Sequence, residues 1–138
     1  PMEMVRRNGG DPQNYKYKGK HPIKSKRTRR LKWVSVFVNR QLNFKEVLAA
    51  LKRHGKIPGG QWRDVIDAQF KRRHNDRHSR GIPDASWRNL DIHCDIGPGR
   101  SGGHAVFPSI TWPGGAGFSS DYNVWFGRDW LWLVEVSE

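Results

Sequence analysis

The chain has 138 residues, enough to bury one hydrophobic core and too few for two domains of ordinary size. Its 25 Lys and Arg against 13 Asp and Glu leave a formal charge of +12, which is far from the balance of a metabolic enzyme and suits a polyanionic partner, RNA first. One cysteine excludes an internal disulfide, zinc knuckles and ribbons, and the zinc deaminase signature. No apolar run approaches the roughly 18 residues of a membrane span and no export signal is visible, so the expectation is no membrane partner and a cytoplasmic site of action.

In chain order, residues 1–32 carry eleven Lys and Arg against two acids and almost no large apolar residue besides tyrosines. Such a composition predicts an extended basic N-terminal arm, with one domain over 33–138. Tyr15 and Tyr17 interleave with Lys16, Lys18 and Lys20, a pattern able to stack bases while lysines meet phosphates. Lys24, Lys26, Arg27, Arg29 and Arg30 extend the candidate RNA-binding set. "KWVSVFV" (32–38) reads as a strand. A helix follows, because Asn43 and Glu46 form a capping-box pair while Phe44, Val47, Leu48 and Leu51 share one face. Lys52, Arg53 and His54 complement the dipole at its end, and Gly55 stops it.

After "KIPGG" a second amphipathic helix is expected, with Trp62, Val65, Ile66 and Phe70 on one side. Its far end, "KRRHNDRHSRG", offers Arg72, Arg73, Arg77 and Arg80 to phosphate. His74 and His78, four apart, are placed to bind zinc with His54 or Asp76, but the surrounding arginines oppose a cation, so no metal and no cofactor are expected. The remainder reads as strands at 87–96, 104–112, 122–126 and 130–136 separated by Gly and Pro clusters. The fold class expected is therefore α+β, with two amphipathic helices packed on an antiparallel β-sheet behind the basic arm.

The chemistry concentrates in "SWRNLDIHCDIGPGRSGGHAVF" (86–107). Along a strand here, Leu90, Ile92, Cys94 and Ile96 point to one side, and Asn89, Asp91, His93 and Asp95 to the other. Cys94 thus belongs to the apolar set. Asp91 beside His93 would fix the imidazole tautomer and raise its basicity. His104 opens the next strand, and the turn between brings Arg100 near both. Two imidazoles, a carboxylate and a guanidinium suffice for metal-independent RNA cleavage, because the ribose 2′-OH is its own nucleophile. The alternative is a polar face of a half-buried sheet.

The stretch "SWRNLDIHCDIGPGR" resembles the central strand and following loop of barnase-type microbial ribonucleases over about fifteen residues. Trp87, Arg88, Asp91, Ile92 and Gly97 match the family pattern, and Arg100 is displaced by one residue. The resemblance implies an α+β ribonuclease fold and phosphodiester cleavage. It departs at Asn89, which stands where the family has its general-base glutamate, and a second family arginine falls near His104. No histidine follows His104 to match the family's acid, and because Asn89 cannot act as a base, a ribonuclease built here would use His93 or Asp91 as base.

"GGHAVF" followed by "SSDYNVWF" suggests papain-like strands, but Cys94 lies too close to His104 and within an expected strand to be the nucleophile. Trp130 and Trp132, with Leu131, Leu133, Val134 and Val136, read as a strand buried on both faces. Trp112, Trp125 and Phe118 could form a stacking platform or pack in the core. Two functions follow. One is a small metal-independent ribonuclease, as in a toxin domain, using His93, His104, Asp91 and Arg100. The other is a non-catalytic RNA-binding protein such as a ribonucleoprotein component, a viral RNA-binding factor or a translation regulator. A protein partner covering the basic surface has the same charge footprint.

Overall fold

A computed structural model describes residues 5–6, 12–18, 30–58, 77–84, 86–90, 104–111, 115–120 and 124–136. Its strands are β1 (Tyr15–Tyr17), β2 (Arg30–Val34), β3 (Leu42–Asn43), β4 (Ser79–Gly81), β5 (Trp87–Asn89), β6 (His104–Thr111), β7 (Gly115–Ser120), β8 (Trp125–Phe126) and β9 (Trp130–Val136). Helix α1 spans Phe44–Leu51. Seven strands form one sheet in the order β1-β5-β6-β4-β9-β2, with β7 also on β6, while β3 and β8 pair separately.

This architecture corrects the expected fold class. The described chain is predominantly β, with a single bounded α-helix and a short 3-10 helix at Pro12–Asn14, and its sheet is mixed because β4 and β9 run parallel. The expected second helix at 62–70 lies outside the described residues, and Ser79–Gly81, expected to close it, is a strand. Strand β7 occupies a Gly-rich stretch expected to turn. Only Trp125–Phe126 of the expected 122–126 strand is described as strand. Part of the stretch read as an arm also enters the sheet, since β1 pairs β5 and β2 pairs β9.

Helix α1 forms where the capping chemistry predicts. The Glu46 N–H donates to Asn43 Oδ1 at 2.9 Å, and the Asn43 N–H donates to Glu46 Oε1 at 3.2 Å, satisfying two otherwise orphaned donors. Arg40 holds the far oxygen of Glu46 at 2.6 Å. Phe44, Val47 and Leu51 are buried. They close over a core that includes Val34, Phe107, Phe126, Trp132 and Val134. Phe44 stacks on Phe107 with centroids 4.9 Å apart, and Trp132 meets Phe107 at 5.4 Å and Phe126 at 5.0 Å.

The opposite face is divided. Ile82, Ile110 and Leu133 form one small cluster with Leu31 and Trp33, while Val5, Trp87 and Val106 form another with Tyr15, Tyr17 and Phe118. Between them β4 and β5 act as one interrupted strand along β6. Gly81 opposes Ser109 and Trp87 opposes Val106, so six residues on one side span three on the other. The surplus, an extended bulge, re-aims the strand. The break is pinned by the Ile82 N–H donating to the Pro108 carbonyl at 2.9 Å and the Ser86 N–H donating to Asp84 Oδ1 at 3.1 Å. Gly81 precedes it because a Cβ there would lie 2.5 Å from Trp132 Cζ3.

Candidate nucleic-acid interface

Three cross-strand rows define the end of the sheet where β5 stops and β6 starts. Tyr15, Asn89 and His104 make the first row, Lys16, Arg88 and Ala105 the second, and Tyr17, Trp87 and Val106 the third. Backbone bonds continue the β1–β5 ladder beyond them, from the Leu90 N–H to the Asn14 carbonyl and from the Lys18 N–H to the Ser86 carbonyl, both 2.6 Å. The short β1 strand is also anchored by rings. Tyr15 lies 5.0 Å from Phe118, Tyr17 lies 4.8 Å from Trp87, and Trp87 lies 5.3 Å from Phe118.

Lys16 is exposed and Arg88 half-buried, and they face each other across β1 and β5. Like charges directly opposite destabilise a strand pair. An anion beside both reverses the sign of that term. Nearby, burial and then the Asp84 carboxylate raise the pKa of the Tyr17 phenol above its ordinary value, so the group is neutral at physiological pH and offers an O–H rather than a competing charge.

His104 stands at the first position of β6, directly across from Asn89. Asp91, His93 and Arg100 lie outside the described residues, as do Lys20, Lys24, Lys26, Arg27, Arg29, Arg72 and Arg73. Lys16, Lys18, Arg30 and Arg77 are exposed. Arg80 is not part of that surface. It sits on β4 at 7% exposure, its guanidinium 5.4 Å above the Trp33 ring, where its charge stabilises packing through the ring quadrupole.

Sequence reasoning passed over other exposed cations. Lys32, Arg40, Lys45, Lys52, Arg53, Lys56 and Arg128 are all at the surface. The described carboxylates do little to offset them: Asp84 is buried, Glu135 is half-buried, and Asp129 alone is fully in the exposed class. The Arg40 hydrogen bond, then that from the Asn43 backbone, holds Glu46 below the usual carboxylate range. Of the proposed stacking platform, Trp125 is 54% exposed, Phe118 is engaged by Tyr15 and Trp87, and Trp112 lies outside the described residues. No described helix is long and apolar enough to cross a membrane.

No family model, no curated protein and no solved structure matches the chain, so the functional reading rests on this surface and on the residues of 86–107.

Proposed function

We propose that this chain acts on RNA, and that its specific activity is metal-independent cleavage through the ribose 2′-OH at the β5–β6 end. The observation that supports the reading is the row of Lys16 opposite Arg88, two cations on one face at the end of the sheet where β6 opens with His104. In this reading His93 removes the 2′-OH proton, with Asp91 fixing its tautomer. His104 protonates the departing 5′ oxygen, and Arg100 stabilises the charge on the phosphorane. Asn89 holds no proton-transfer role, because an amide neither gains nor loses a proton in this range.

A second reading, RNA binding without cleavage, is favoured by the excess of exposed cations far from those rows, which need no acid or base to hold a phosphate backbone. A single experiment separates the two. The protein and its His93→Ala and His104→Ala variants are incubated with mixed structured RNA in EDTA, then run on a denaturing gel and in a gel shift. Cleavage lost in both variants with binding retained is the expected result. Intact RNA shifted equally by all three proteins leaves a binding protein, and RNA that none of them shifts or cuts removes both readings.

A further inference from the structure

Away from the β5–β6 end, the helix-bearing face of the sheet carries a second cationic group that only the tertiary structure assembles. On β2, Arg30 opposes Val136, Lys32 opposes Val134 and Val34 opposes Trp132. Val34 is buried in the core beneath α1, and side chains two apart on a strand share a face, so Arg30 and Lys32 project to the helix side. The turn after α1 meets β9, the strand beside β2. A Cβ on Gly55 would collide with the Glu135 carbonyl oxygen and lie 3.5 Å from the Val134 Cβ. Val134 thus lies between Lys32, its cross-strand partner, and Gly55, which follows the exposed Lys52 and Arg53 in the chain.

Carboxylates divide unequally between the two faces at this end. Glu135 pairs with Leu31 and with Lys56, so it and Lys56 project to the opposite side from Val134 and Lys32. Glu46 stands at the other end of α1, held by Arg40. Among the described residues the helix side of this corner therefore has four cations, no acid and no exposed Phe, Tyr or Trp, with the His54 imidazole beside Arg53. Cations without orienting acids chiefly hold phosphates, which carry no sequence information.

We propose that Arg30, Lys32, Lys52 and Arg53 form a sequence-independent seat for an RNA phosphodiester backbone, separate from the rows at β5 and β6. The proposal rests on the RNA reading and extends it to a second contact. Adjacent strands lie about 4.8 Å apart, so the corner is on the order of 10 Å across, the scale of a short run of backbone phosphates.

The test is the salt dependence of affinity for a fluorescent RNA hairpin and for a second hairpin of permuted sequence. It compares the parent, Arg30→Gln/Lys32→Gln/Lys52→Gln/Arg53→Gln, the lighter pair Lys32→Gln/Arg53→Gln, and Lys56→Gln. The substituted side chains are exposed, and circular dichroism and melting verify the fold. The lighter pair carries the test if the fourfold variant is unstable. The expected result is a log–log salt slope reduced by about 3 in the fourfold variant and by about 1.5 in the pair. Lys56→Gln should leave it unchanged, and both hairpins should behave alike. An unchanged slope in the variants with a parent that still binds overturns the corner and leaves the RNA reading. An equal loss per charge in Lys56→Gln reduces the effect to overall charge and overturns it as well. A preference between hairpins that the fourfold variant abolishes overturns its indifference to sequence, and a parent that binds neither hairpin removes this seat together with the RNA reading.

Discussion

The two faces of the sheet are built differently although they share every strand. On the helix side Phe44, Phe107, Phe126, Trp130 and Trp132 form one continuous aromatic core, in which Trp130 and Trp132 stack at 5.3 Å. The other side has two small clusters with the strand break between them, together with buried Arg80 and Asp84. Continuous burial of rings concentrates stability, whereas buried charge needs partners and adds little net stability. The helix side thus holds most of the fold together, and its divided counterpart contributes less.

Neighbouring residues on β6 give the sharpest way to break that comparison. Phe107→Ala should destabilise by about 3–5 kcal/mol in denaturant titrations, because its ring meets Phe44, Phe126, Trp130 and Trp132. Val106→Ala, facing the smaller cluster, should cost about 1.5 kcal/mol on the scale of ~0.8 per methylene. A Val106 loss equal to that of Phe107 would show that the two faces contribute alike. Next in size, Gly81→Ala should destabilise by about 1–3 kcal/mol through overpacking, since its Cβ meets the Trp132 ring. A neutral Gly81→Ala would mean that the aromatic core yields where it meets β4.

Smaller effects probe the ends of elements. Asn43→Ala should cost about 1 kcal/mol by removing the cap, read as a shift in melting temperature. Its failure to do so would place the stability of α1 wholly in packing. The smallest is a pH effect at Tyr17. Its folded pKa is raised, so folded and unfolded states are both neutral below 10.0, and as pH climbs above that value the unfolded state loses the proton first. Stability should therefore fall in that alkaline window, and Tyr17→Phe should flatten the fall.

Local chemistry and tertiary pairing can be told apart element by element. The α1 helix follows from Asn43, Glu46 and the apolar spacing of Phe44, Val47 and Leu51, because its caps and its stripe lie within eight or nine residues. Strand β9 was equally legible, its uninterrupted apolar run being usable only when neighbours cover both faces. Tyr15–Tyr17 looks like tail by composition and becomes a strand because Trp87–Asn89 pairs with it. Gly115–Ser120 has the glycine content of a turn, and it extends because β6 supplies a partner along its whole length. For the candidate site, the sequence pointed to the β5–β6 stretch and to His104, while the facing of Lys16 on Arg88 needed the register.

Alone, the sequence determined the excess positive charge, the capped helix and the doubly apolar last strand, since each depends on neighbours within a few positions. The parallel pairing of β4 with β9, the three-residue surplus between β4 and β5, the withdrawal of Arg80 over Trp33 and the gathering of Arg30, Lys32, Lys52 and Arg53 were decided by the tertiary structure. Each joins residues tens of positions apart. Strand pairing across such separations is chosen by the burial of whole faces rather than by any local signal.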